Sequence, residues 1–123
     1  MNQSARLSTI LLNTGMPASI KGYRFIQDAV KMVIEKPETI DKITKELYPG
    51  VALKHNTTAG KVERGIRHAI LYAWTKGDIE ALNTAFGCQV VSKRRKPTNG
   101  EFIALIADRL SVESSIAEEK EAI

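Results

Sequence analysis

With 123 residues and a hydrophobic content of 43%, the chain has the length of one domain and enough apolar material for a core without disulfides; its single cysteine, Cys88, cannot form an internal bridge and fits a reducing compartment. No apolar run approaches the roughly 20 residues that span a bilayer, and the first 15 residues lack a secretory apolar core, so the expectation is a soluble, cytoplasmic protein with no membrane partner. The formal net charge of +4 is modest, but basic residues gather in the middle of the chain while the tail from Glu113 is acidic, which points to an anionic ligand engaged away from the C-terminus.

In chain order the sequence reads as helices throughout. Leu7, Ile10 and Leu11 share one face of a first helix over residues 3–13, which ends where Gly15 can take the left-handed conformation and Pro17 blocks continuation. A second helix over residues 19–35 carries the stripe Tyr23, Ile26, Val30 and Val33 and stops before Pro37. Glu38 and Asp41 suit the first turn of a third helix, with Ile40, Ile43 and Leu47 on its buried side and an end near Tyr48. Pro49 then opens a short helix over residues 49–54, in which Val51, Ala52 and Leu53 can pack.

Asn56-Thr57-Thr58 follows as a turn, and either threonine can cap a long helix that runs to Lys76. Wound at 3.6 residues per turn, Val62, Ile66, Ala69, Ile70 and Ala73 fall on one side, and Lys61, Arg64, Arg67 and His68 on the other. Short helix, turn and long basic helix make a helix-turn-helix over residues 49–76. Glu63 lies at the margin of the basic face, where a carboxylate repels phosphate. Two readings account for it: an i,i+4 pair with Arg67, or a helix that enters the DNA major groove, where arginine bonds guanine O6 and N7 and a carboxylate accepts from cytosine N4.

Asp78 can cap a further helix containing Ile79, Leu82 and Phe86 and closed by Gly87. Residues 88–91 are the one candidate extended piece, too isolated to make a sheet. Lys93-Arg94-Arg95-Lys96 is a run of four cations. After Pro97, Thr98-Asn99-Gly100-Glu101 forms a capping box for a last helix lined by Phe102, Ile103, Ile106 and Leu110. The expected fold class is therefore all-α, a compact bundle of about six helices containing a helix-turn-helix. One domain over residues 1–114 is expected, with residues 115–123 an acidic extension that frays.

Catalytic chemistry finds little footing. The two histidines and the cysteine have none of the usual metal-ligand spacings, and there is no phosphate-cradling glycine loop, GxSxG or HExxH sequence. No catalytic residue, metal or cofactor is expected. Asp28, Glu35, Asp41 and Glu46 read as solvated helix faces, His55 as a turn residue with a phosphate contact as the alternative, and His68 as a groove or phosphate contact with a plain surface position as the alternative.

The runs IKGYRFIQDAV, ITKELYP, NTTAGKVERGIRHAI, AWTKGDIEALNTAFG and KPTNGEFIALIADRL resemble, in order and spacing, the C-terminal effector domain of stage-zero sporulation protein A, the response regulator that starts spore formation in endospore-forming bacteria. The resemblance covers residues 7–112. It implies a six-helix effector domain that binds double-stranded promoter DNA at short elements related to TGTCGAA and activates or represses transcription. It further implies a recognition helix over residues 58–76 with Glu63, Arg64 and His68 at base-reading or groove-facing positions. Thr57, Thr58, Gly60, Lys61 and Arg67, with Lys93, Arg94 and Arg95, become backbone contacts. Gly60 stands where the family pattern has serine, which removes a hydroxyl but leaves an amide able to donate. Gly65 stands where it has alanine, at a cost of roughly 1 kcal/mol in an exposed helix interior.

By the same resemblance the final helix meets the sigma subunit of RNA polymerase through Ala107, Asp108 and Leu110, although Ala107 and Leu110 equally suit a core. The family's receiver domain, with its alternating strands and aspartate pocket, has no counterpart in these residues, so the likeness is to the effector half; phosphorylation there would bring a second copy of the effector domain alongside on tandem DNA sites. The rival expectation is a helical protein-interaction module, docking on RNA polymerase or another acidic partner, which would show no preference among DNA sequences.

Overall fold

The computed structural model describes residues 2–122, with the side chains of 121 and 122 outside the description. Six α-helices follow one another: α1 Gln3–Asn13, α2 Lys21–Glu35, α3 Tyr48–Lys54, α4 Ala59–Lys76, α5 Ile79–Phe86 and α6 Asn99–Ala122. No strand occurs among the described residues, and an isolated bridge between Ser92 and Arg95 is the only extended pairing in them. The fold is all-α, as the periodicity requires.

Most helix ends follow local chemistry. The Asn2 side chain accepts from the Ala5 amide at 2.7 Å to start α1, and the Asp78 carboxylate accepts from the Glu80 amide at 2.8 Å to start α5. Gly15 and Gly87 take the positive φ values, +89° and +78°, that end α1 and α5. At α6 the capping box closes in both directions. Thr98 Oγ1 accepts from the Glu101 amide, and the Glu101 carboxylate accepts from the Thr98 amide, each at 3.1 Å.

The region expected as a third regular helix differs. It is a 3-10 helix, Pro37–Lys42, followed by a π turn, Ile43–Leu47, that runs directly into α3. Pro49 explains the widening: its ring would collide with the carbonyl four residues back, and opening the turn makes room. The Tyr48 amide accordingly reaches back five residues to the Ile43 carbonyl. Within α3, Tyr48, Val51 and Ala52 are buried, whereas Leu53, expected to pack, is 85% exposed because it falls on the opposite side of the short helix.

α2 lies at the centre, packed on both α4 and α6. Its stripe, with Leu7 and Leu11 of α1, Ile66 and Ile70 of α4, and Phe102 and Ile106 of α6, forms one contiguous core. Phe86 and Phe102 meet edge to face at 5.4 Å. α2 and α4 cross at glycine. A Cβ on Gly22 would stand 2.1 Å from the Gly65 carbonyl oxygen, and one on Gly65 would press on the Phe25 ring at 2.9 Å. Gly65 is therefore a helix-crossing position rather than an exposed interior one, and the close approach replaces the cost assigned to it from propensity alone.

α6 runs on to Ala122, past the end near Ser114 that its apolar pattern suggests. Arg6 of α1 grips Glu113 through two hydrogen bonds of 3.1 Å, Arg109 adds a third at 3.3 Å, and Gln3 donates to Ser114. The Arg6 and Gln3 bonds tie the helix to α1 just where its apolar stripe stops. The Arg6 hydrogen bonds hold the Glu113 carboxyl below the usual carboxylate range.

Candidate nucleic-acid interface

The site is built on α3, the turn at residues 55–58, and α4. The turn is closed by backbone bonds from the His55 amide to Val51 and Ala52 and from the Thr57 amide to Ala52 at 3.0 Å. Asn56 sits at φ +51°, a left-handed position that asparagine tolerates better than most residues. His55 is half-buried, its ring bonded to the Asp28 carboxylate and edge-on to Phe25 at 5.0 Å. It anchors the turn to α2. Of the two threonines, Thr58 is the cap: its hydroxyl accepts from the Lys61 amide at 3.3 Å, while Thr57 is half-buried beside it.

From that cap α4 presents two faces. Val62, Ile66, Ala69, Ile70 and Ala73 are buried, all five as their spacing requires. Lys61, Arg64 and His68 line the exposed face at intervals of three and four residues, with Arg67 and Gly60 also exposed. Arg64 has no carboxylate partner among the described residues. Arg67 does, since its Nη1 lies 2.9 Å from Glu63 Oε1. The pairing reading of Glu63 is thus realised, and the Glu63 carboxylate faces Arg67 rather than solvent alone. At Gly60 an added Cβ would approach only the flexible Arg64 guanidinium, at 3.4 Å, so no packing demands glycine there.

The α3–turn–α4 unit is braced from α6. Asn99 Nδ2 donates to the Tyr48 hydroxyl at 3.0 Å and to the Glu63 carbonyl at 3.1 Å, joining α3, α4 and α6 through one side chain. Burial pushes the Tyr48 phenol up from its ordinary value, with the Asn99 bond acting against it. Sequence reasoning saw Asn99 only as part of a capping box. Nothing in its spacing marks a contact 36 residues away.

The run of four cations is not uniform. Residues 92–95 form a tight turn in which the Ser92 and Arg95 backbones bond each other in both directions, leaving Lys93 and Arg94 exposed at its tip. Arg95 is engaged by the fold: one guanidinium nitrogen donates to the Val90 carbonyl at 2.7 Å and the other to Glu101 at 2.6 Å. Of the three cations expected to meet backbone, Lys93 and Arg94 have no ion-pair partner among the described residues and Arg95 holds the loop. Trp74 Nε1 donates to the Ser92 carbonyl at 2.8 Å, fixing the turn against the end of α4. Asn83, buried on α5, accepts from the Val90 and Val91 amides at 2.8 Å and donates to the Val91 carbonyl at 2.9 Å.

On α6 the expected sigma-contacting trio divides. Ala107 and Leu110 are core residues, 3% and 1% exposed, on the same stripe as Ile103 and Ile106; only Asp108 reaches the surface. The i, i+3, i+4, i+7 spacing from Ile103 to Leu110 carries that outcome. The described residues contain no group of three metal-ligating side chains, and no described helix is long and apolar enough to cross a membrane. A family model described as sporulation initiation factor Spo0A C terminal matches residues 7–110.

Proposed function

This chain belongs to the Spo0A C-terminal family and is a DNA-binding effector domain of a sporulation regulator, and from that premise we propose that α4 enters the major groove of a TGTCGAA-type promoter element and reads it with Arg64, Glu63 and His68. Arg64 donates to guanine O6 and N7, the commonest specific contact in such grooves, and Glu63 turns from Arg67 to accept from cytosine N4. Release of Arg67 lets it join Lys61, Thr57, Thr58 and the Gly60 amide on the phosphate backbone. Lys93 and Arg94 extend the backbone contacts from the neighbouring turn. Asp108, the exposed member of its trio, meets the sigma subunit of RNA polymerase, and a second copy binds alongside on tandem sites to activate or repress transcription.

The observation that carries this reading is Arg64, without an ion-pair partner among the described residues, at the middle of an exposed stripe on a helix whose opposite face is buried. A titration at fixed salt against a TGTCGAA-type duplex and a shuffled one tests it. Wild type should prefer the element, and Arg64→Ala should lose roughly 1–3 kcal/mol and relax discrimination at one guanine. A variant with the wild-type ratio between the two duplexes would refute the assignment. If wild type itself shows no preference, the domain is a protein-interaction module with a basic surface.

A further inference from the structure

A groove of about 410 Å³ opens between the first turn of α2 and the start of α4. Lys21, Arg24 and Phe25 line it from α2, His55, Asn56 and Thr57 from the turn, and Lys61 from α4, with no carboxylate in the lining among the described residues. We propose that this groove clamps one phosphodiester of the same DNA strand that α4 follows, with Lys21 and Arg24 as backbone-binding residues. The proposal rests on the groove-reading assignment of α4 and names a part of the interface outside the helix-turn-helix.

Three features of the structure support an anion here. Lys21, Arg24 and Lys61 are all exposed, and none has an ion-pair partner among the described residues. Three cations around one cleft, unneutralised, repel one another unless a shared anion lies between them. The acid of α2 nearest in sequence, Asp28, is bonded to the His55 ring, which itself lines the groove. The arrangement is also rigid. Gly22 is flanked by the two α2 cations, and its backbone sits so close to Gly65 that no larger residue fits, so the crossing that builds the core carries Lys21 and Arg24 to the N-terminal half of α4.

Lys61 belongs both to this groove and to the stripe with Arg64 and His68. A phosphate held there would fix the depth at which α4 lies in the major groove. It would carry no sequence information itself.

The test compares wild type with Lys21→Ala/Arg24→Ala on element and shuffled duplexes across a salt series, with a melting curve of each protein. Both side chains are exposed, so the melting temperature should not change. The double variant should lose on the order of tenfold affinity for both duplexes, keep the ratio between them, and reduce the salt slope by about 1. A set of duplexes, each with one backbone phosphate replaced by a neutral methylphosphonate, supplies the second readout. One position should weaken wild type and leave the double variant unaffected. An unchanged slope, or a methylphosphonate scan identical for the two proteins, overturns the clamp. If wild type discriminates and only the clamp predictions fail, the reading of α4 stands; if wild type does not discriminate at all, that reading fails first.

Discussion

The two basic clusters of this domain carry similar charge and are held in different ways. On α4, Lys61, Arg64 and Arg67 project from a helix whose buried stripe fixes every one of them, and removing any one side chain leaves the rest in place. On the turn after α5, Lys93 and Arg94 depend on a small set of polar bonds from Asn83, Trp74 and Arg95. Each cluster also gives up one cation internally, Arg67 to Glu63 and Arg95 to Glu101. A count of positive residues therefore overstates the cations that are free of an ion pair among the described residues.

The largest expected effect breaks the turn and spares the helix. Asn83 is 4% exposed and satisfies two amides and a carbonyl. Leaving buried backbone groups unpaired costs roughly 1–3 kcal/mol each, so Asn83→Ala should destabilise the fold by about 2–4 kcal/mol and lower the melting temperature by roughly 10 °C. DNA affinity should fall for every sequence with the element-to-shuffled ratio kept, because α4 is braced elsewhere. A melting curve that matches wild type would mean the turn does not depend on Asn83.

The next effect falls on α4 and concerns Glu63. In Glu63→Gln the 2.9 Å pair is gone, a repulsive charge is lost and Arg67 is free for phosphate. Binding to the shuffled duplex should tighten several-fold in a salt-sensitive way. If Glu63 also reads cytosine, preference for the element should fall by about 1–2 kcal/mol. Tighter binding to both duplexes by the same factor would leave Glu63 with the pairing role alone.

What the sequence made legible divides along the same line. The α4 stripe, the Thr98–Glu101 capping box and the glycines that end α1 and α5 follow from local rules, because period and cap chemistry involve residues within a few positions of each other. The role of Gly65 did not, since its environment is Phe25 and Gly22 of another helix and no local rule says which helix will cross there. Arg95 looked like its neighbours for a related reason. In a run of four cations only the turn geometry separates the two at the tip from the one facing Glu101. Lys21 and Arg24 were invisible as a pair with Lys61 because the groove joins segments about 40 residues apart. Ala107 and Leu110 were legible from spacing, and the family likeness drew them outward against it.

The smallest expected effects distinguish Arg95 from Lys93. Lys93→Ala should lower the salt slope by about 1 for both duplexes and leave stability unchanged, as suits an exposed tip residue. Arg95→Ala should do the reverse, keeping the slope and costing about 0.5 kcal/mol of stability, the scale of a solvent-exposed pair. Acid provides a separate measure. The Thr98 amide, and after it Arg95, hold the Glu101 carboxyl below the usual carboxylate range. Because this depressed value belongs to the folded state, the stabilisation is complete above the ordinary carboxylate pKa and is lost as pH falls through the depressed one. Melting temperatures followed from pH 7 downward should therefore show an acid-side loss in wild type that Arg95→Ala reduces in part, since the Thr98 bond remains. In Glu101→Gln the contribution of this residue to that loss should be absent. Were Arg95→Ala to change the salt slope as much as Lys93→Ala, Arg95 would be a phosphate contact after all, and its bond to Glu101 would have to open when DNA binds.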